Sequence, residues 1–96
     1  MRVDYFSKRM QTTYKHVSVA DTKSRWGACT SDNRLQFNWR LIMTPPAVLD
    51  SVVVHELAHT IVKNHSKSFW SHVLHVMPGY KAHRAWINHN GAKLII

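Results

Sequence analysis

The stretch that decides the fold is Val54-His55-Glu56-Leu57-Ala58-His59, which lies in a long apolar segment. Residues four apart on a helix lie nearly one above the other, so His55 and His59 can bind one metal ion together. Glu56 follows about 100° round the helix, where it can approach a metal-bound water without being a ligand. The stretch therefore predicts a metal-dependent hydrolase whose buried active-site helix spans residues 44–63.

The residue types of this stretch indicate zinc as the cofactor. Zinc lowers the pKa of a bound water to about 7, and the Glu56 carboxylate can take its proton as the water attacks a carbonyl. Burying two imidazoles and a carboxylate without a metal would be costly. The apolar neighbours indicate a buried helix and argue against a surface helix with fortuitous histidines. We predict a Zn²⁺ ion held by His55 and His59, with Glu56 as general base.

A third ligand is expected, because a catalytic zinc site usually has three protein ligands and one open position. The only glutamate of the chain belongs to the motif, and the aspartates all precede it. His65 comes six residues after His59, a spacing that matches the long zinc motif of the metzincin peptidases. Asn64 is expected to turn the chain there, since Asn tolerates the left-handed conformation. We favour His65 over His72 and His75, which are rivals on one face of a later helix.

The segments on either side of the active-site helix predict an α+β protein. The turn Ser31-Asp32-Asn33 separates two extended stretches and indicates an antiparallel hairpin. Pro78-Gly79 separates two later helices, and Gly91 is expected to end the second. The predicted elements are an N-terminal helix (1–15), a small antiparallel sheet (16–40), the active-site helix (44–63) and two C-terminal helices (66–90). Without linkers or repeats, residues 1–96 are predicted to form a single domain.

The composition is strongly basic, with 13 Lys and Arg against 5 Asp and Glu and a formal net charge of +8. The basic residues are dispersed, which indicates a solvated surface; weak contact with nucleic acid or a nucleotide stays open. Cys29 is the only cysteine, and neither a signal peptide nor a membrane-spanning run is evident. A cytoplasmic protein without a membrane partner is predicted.

Several blocks, in chain order, resemble a known family. They are Ser24-Arg25-Trp26-Gly27-Ala28-Cys29, Asn38-Trp39-Arg40-Leu41-Ile42, Pro45-Pro46, Val54-His55-Glu56-Leu57-Ala58-His59, Asn64-His65-Ser66-Lys67-Ser68-Phe69-Trp70 and Met77-Pro78-Gly79-Tyr80. These blocks resemble the YgjP-like metallopeptidase domain family, minimal zincins related to the WLM and SprT-like groups. The resemblance implies a minimal zincin-like fold, a peptide or protein substrate, zinc ligands at His55, His59 and His65, and Glu56 as general base. Members are usually longer at the N-terminus, so a truncated copy or an excised domain is expected.

Tyr80, Arg84 and Arg25 are candidates for contacting the substrate or a developing oxyanion, although the sequence alone does not position them. Two other classes of function remain open. One is a metal-dependent nucleotide pyrophosphatase or other phosphoanhydride hydrolase, which would release phosphate or pyrophosphate from nucleoside triphosphates instead of cleaving an unfolded protein. The other is a DNA-associated module with a structural zinc, which steeply salt-dependent DNA binding would reveal.

Overall fold

A computed structural model describes residues 2–21 and 25–95, with side chains through Gly91. Ser24, which belongs to the first block that resembles the family, lies outside the described residues. The elements are α1 (Arg2–Arg9), β1 (His16–Ala20), β2 (Gly27–Cys29), β3 (Arg34–Asn38), a 3-10 helix (Trp39–Met43), α2 (Pro46–Ala58), α3 (Lys67–Val76) and α4 (Tyr80–Ile95). The predicted α+β class is confirmed, with a sheet followed by the active-site helix and two further helices. Across the described ranges, no helix is both long and apolar enough to cross a membrane.

The sheet is mixed, with the strand order β1-β3-β2. β2 and β3 form the predicted antiparallel hairpin, and Asn33 in its turn has a left-handed φ of 66°. β1 runs parallel to β3, so the prediction of a wholly antiparallel sheet is wrong for this strand. The parallel register places Val17 beside Leu35, which aligns apolar positions of the two strands. That pairing depends on tertiary packing, which strand alternation alone does not reveal.

Helix α2 lies at the centre of the protein and contacts α1, α3, α4, β2 and the 3-10 helix. A helix surrounded in this way must be apolar on nearly every face. Its buried residues are Val48, Ser51, Val52, Val53, Val54, Glu56, Leu57 and Ala58. The packing therefore brings a carboxylate, Glu56, into the hydrophobic core.

Helix α2 is shorter than the predicted span of 44–63, since it begins at Pro46 and ends at Ala58. At its C-terminal end the Thr60 hydroxyl donates to the carbonyl of Leu57 at 2.6 Å, and the Thr60 backbone N–H donates to the same oxygen at 3.0 Å. Such i to i−3 bonds tighten the last turn of a helix and end it. The early end frees the following residues to fold back over the helix terminus.

The two outer helices also differ in length from their predictions. α1 ends at Arg9, short of residue 15, because Gln11 has a left-handed φ of 55°. α4 continues beyond the predicted end near residue 90 and runs through Gly91 to Ile95. Gly91 is buried, and a Cβ atom there would lie 3.0 Å from the ring of Trp26. This glycine thus permits close packing against Trp26 and does not end the helix.

Candidate metal centre

Three imidazoles converge where α2 ends. His55 lies in the last turn of α2, His59 caps it, and His65 lies in the segment that leads to α3. One ring nitrogen from each lies within 4.8 Å of the others, and no other group of three or more His, Cys, Asp or Glu suited to a metal occurs in the described part of the chain. His72 and His75 border a separate cavity of about 370 Å³. The structure thus brings together the three histidines that the sequence favoured as ligands.

The donor set fits a metal ion. The Nε2 atoms of His55 and His65 are 3.4 Å apart. Two nitrogens at about 2.0–2.1 Å from one tetrahedral zinc ion are separated by roughly 3.3–3.4 Å. The Nδ1 atom of His59 lies 3.0 Å from the carbonyl oxygen of Val62, which can only accept, so Nδ1 carries the proton and Nε2 keeps its lone pair. Metal-binding histidines commonly donate their second ring N–H in this way.

The side chain of Asn64 turns the chain that brings His65 back over the end of α2. Its Oδ1 atom accepts the backbone N–H of Ser66 at 3.1 Å. The predicted left-handed conformation of Asn64 is wrong, because the positive-φ residues other than glycine in residues 2–21 and 25–95 are Gln11 and Asn33. An asparagine side chain can form a turn by itself, without backbone strain.

Aromatic rings from the first turn of α3 support the imidazoles. Phe69 is fully buried, and its ring centroid lies 5.0 Å from those of His55 and His65 and 4.4 Å from that of His59. The ring of Trp70 stacks on His65 at 6.0 Å with an interplanar angle of 27°. The sequence assigned Phe69 to a helix core without relating it to the site, although it comes only four residues after His65.

Burial favours the neutral form of the His55 and His59 imidazoles. Desolvation is the main cause that lowers the pKa of His55 to about 3. Smaller contributions come from Coulombic repulsion by Arg84 and by the protonated forms of His59 and His65. Desolvation also lowers the pKa of His59 from its ordinary value. Neutral imidazoles have the free lone pair that a cation requires, so these histidines are poor bases and suitable ligands.

The Glu56 carboxyl group lies in the core beside β2, with 7% of the residue exposed. Burial raises its pKa to about 7, and the positive charges of Arg84 and Arg25 oppose that rise. A carboxyl group with a pKa near neutrality can both accept and donate a proton. A Cβ atom at Gly27 would lie 3.0 Å from Cγ of Glu56, so the bare backbone of β2 makes room for this side chain. Sequence reasoning did not associate Gly27 with the site.

The remaining site candidates surround the cluster in different ways. The Tyr80 hydroxyl lies 2.8 Å from Nδ1 of His55 and shares a hydrogen bond with it. Arg84 is partly buried, and its charge acts on Glu56, His55 and Tyr80. Arg25 is exposed, and its charge also acts on Glu56. The structure therefore places Tyr80 and Arg84 near the histidine cluster and Arg25 within electrostatic range of Glu56, while the roles of all three stay predictions.

Comparison with known proteins agrees with the fold and identifies the family. The fold matches the crystal structure of the metallopeptidase zymogen of Pyrococcus abyssi abylysin, with a TM-score of 0.81 and 20% identity over 90% of this chain and 88% of that one. The protein thus has a minimal metallopeptidase fold, and its three converging histidines are compatible with a metal ion. The YgjP-like metallopeptidase domain family matches residues 1–90, and the chain belongs to this family. The predicted family and enzyme class are thus confirmed: the protein is a metallopeptidase. Curated proteins gave no match.

Proposed function

We propose that this metallopeptidase is zinc-dependent, with His55, His59 and His65 as the metal ligands and Glu56 as the general base. The observation that carries the proposal is the convergence of three ring nitrogens within 4.8 Å at the end of the helix that also buries Glu56. Nitrogen ligands suit zinc, and three protein ligands leave the open position that catalysis needs. Glu56 is not needed as a ligand and is free to transfer protons.

Each residue of the site has a distinct task in this proposal. When bound, zinc supplies Lewis acidity that activates water and polarises the scissile carbonyl. Glu56 accepts a proton at its carboxylate and returns it to the leaving amine, a double role that suits a pKa near 7. Tyr80 fixes the ring of His55 through the hydrogen bond at Nδ1. Phe69 packs against the rings of all three histidines and restricts their rotation.

The sheet supports an extended peptide as the substrate. β2 is an edge strand, so one side of its backbone is not paired within the sheet. Gly27 in β2 lies against Glu56, which places this edge next to the proposed base. An extended chain can add to such an edge through main-chain hydrogen bonds, which bind peptides irrespective of their sequence. We also propose one domain over residues 1–96 and a cytoplasmic location, which the lone, unpaired Cys29 supports.

The first test is the zinc content of the untagged protein, purified without added metal and measured by elemental analysis. We expect about one zinc ion per chain in the parent protein and in His72→Ala, and little in His59→Ala. His72→Ala is the matched control, because it removes a histidine of the separate cavity. A folded parent protein without zinc would refute the proposed cofactor.

The second test compares cleavage of casein with phosphate release from ATP, using the zinc-loaded protein. Casein cleavage that disappears in Glu56→Gln is the expected result. Release of phosphate or pyrophosphate without casein cleavage would instead support the nucleotide pyrophosphatase or phosphoanhydride hydrolase alternative. A DNA-associated module would show neither activity and would bind DNA with a steep dependence on salt.

A further inference from the structure

A second feature adjoins the histidine cluster: a cavity of about 440 Å³ between α3 and the first turns of α4. Trp70 and Leu74 give it an apolar wall, and Lys81 and Arg84 contribute two cationic side chains. Tyr80 also lines it. We call this cavity the Trp70–Arg84 pocket.

Two of its residues are also neighbours of the proposed metal ligands. Tyr80 shares the 2.8 Å hydrogen bond with His55, and the ring of Trp70 lies 6.1 Å from that of His55 and 6.0 Å from that of His65. The Trp70–Arg84 pocket is therefore next to the place where a substrate would be cleaved. A side chain or chain end close to the scissile bond can reach it.

Ion pairs among the described residues do not neutralise the two cationic side chains of the pocket. Within residues 2–21 and 25–91, no carboxylate lies within ion-pair distance of Lys81 or Arg84. Asp50 pairs with Arg2, and the other three aspartates likewise have partners outside the pocket: Asp4 with Tyr14, Asp21 with Arg40, and Asp32 with Arg34. The charge of Arg84 acts on the buried carboxyl group of Glu56, but the two groups do not form an ion pair. The guanidinium donors of Arg84 therefore stay available to a carboxylate from outside the protein.

We propose that the Trp70–Arg84 pocket binds a carboxylate of the substrate, supplied either by an Asp or Glu side chain near the scissile bond or by the free C-terminus. This inference rests on the proposed peptidase function and specifies the substrate class. Arg84 is the principal partner, since its guanidinium group can donate two parallel hydrogen bonds to one carboxylate. Lys81 adds a second positive charge, and the wall formed by Trp70 and Leu74 receives the apolar stem of the substrate residue.

Peptide binding tests the inference without relying on catalysis. Three peptides of one sequence differ at a single position and at the C-terminus: Glu with an amide end, Gln with an amide end, and Gln with a free carboxylate. Each is titrated into zinc-loaded and zinc-free Glu56→Gln protein, and the indole ¹⁵N signal of Trp70 is followed by NMR. We expect one carboxylate peptide to bind about tenfold more tightly than the Gln amide, as for a charge-assisted hydrogen bond. The tighter peptide shows whether a side chain or the chain end supplies the carboxylate.

Charge-matched variants assign the effect to the pocket. In the same background, Arg84→Gln should abolish the preference, whereas Lys8→Gln, which removes one exposed positive charge on α1, should retain it. Lys81→Gln should weaken the preference and serves as the second variant if Arg84→Gln does not fold. Equal affinity of the Glu56→Gln protein for all three peptides would overturn the inference. A carboxylate preference that survives both Arg84→Gln and Lys81→Gln would also overturn it.

Hydrolysis of the same peptides by the parent protein separates this inference from the proposed function. A carboxylate preference in binding, without cleavage of any peptide, would support the pocket and count against the peptidase proposal. Cleavage of all three peptides, together with equal affinity for them, would support the peptidase proposal and count against the pocket.

Discussion

Both halves of α2 are largely buried, but they differ in the side chains that they contribute to the interior. In the half from Pro46 to Val53, the buried side chains are valines, and the one buried hydroxyl, of Ser51, donates at 2.6 Å to a carbonyl of the same helix. In the half from Val54 to Ala58, apolar side chains are joined by a buried carboxyl group and a partly buried imidazole, both of which contact other elements. Both halves stabilise the protein by apolar burial, while the second also holds polar groups whose burial costs free energy and is retained for chemistry.

The largest expected effect is on activity, from Glu56→Gln. If the second half of α2 serves chemistry, this nearly isosteric change should reduce casein cleavage by about 10²- to 10⁴-fold, the range of general acid–base catalysis. Zinc content and thermal midpoint should stay at the parent level. Ser51→Ala, which removes a buried polar group from the first half, is the control and should keep its activity. An active Glu56→Gln protein would remove Glu56 from the mechanism.

The next effect concerns the stabilisation by zinc. His59→Ala should lose the rise in thermal midpoint that zinc gives the parent protein, because an ion that binds only the folded state contributes about 4 kcal/mol at 1,000 times its dissociation constant. Melting curves recorded with zinc and with a chelator measure the difference, and His75→Ala is the control. Equal stabilisation of His59→Ala and the parent protein would contradict the ligand assignment.

Val48→Ala probes the apolar half. Val48 is 2% exposed, and removing its two methyl groups should lower the free energy of unfolding by about 1.5–2.5 kcal/mol. Urea denaturation measures the loss, while zinc bound per folded chain should be unchanged. Val19→Ala, at a position 65% exposed, should have little effect. A loss of zinc in folded Val48→Ala protein would show that the two halves are not independent.

The smallest expected effect comes from Gly27→Ala, where the sheet meets the second half of α2. The added methyl would lie 3.0 Å from Cγ of Glu56 and 3.1 Å from Cγ1 of Val52, so the carboxylate must shift by a few tenths of an ångström. We expect roughly a fivefold reduction in kcat with unchanged zinc content, since catalysis is sensitive to small misplacements. Gly79→Ala is the control, because its Cβ would meet His83 only at 3.6 Å. Full activity of Gly27→Ala would mean that this contact does not position Glu56.

The fold was predictable wherever local chemistry decides it. The hairpin follows from the turn at Asn33, and α3 begins and ends where the sequence indicates. The parallel pairing of β1 and the continuation of α4 past Gly91 were not predictable, because both depend on contacts between distant segments. For Gly91 the decisive contact is the ring of Trp26, which no local pattern contains.

The same distinction applies to the site. His55, His59 and His65 lie close together in the chain, so helical spacing and one turn suffice to predict that they converge. The packing of Phe69 on the imidazoles and of Gly27 on Glu56 required the three-dimensional arrangement. The general-base and ligand roles stay predictions until the variants above are measured.

The closeness of the three histidines in sequence has a consequence for folding kinetics. Closing the short segment from His55 to His65 costs little chain entropy, and local contacts of this kind form rapidly. Pairing β1 with β3 joins more distant residues, such as His16 and Arg34, and is slower for the same reason. We expect the imidazoles to meet before the sheet closes, so that zinc present during refolding speeds the formation of the native state.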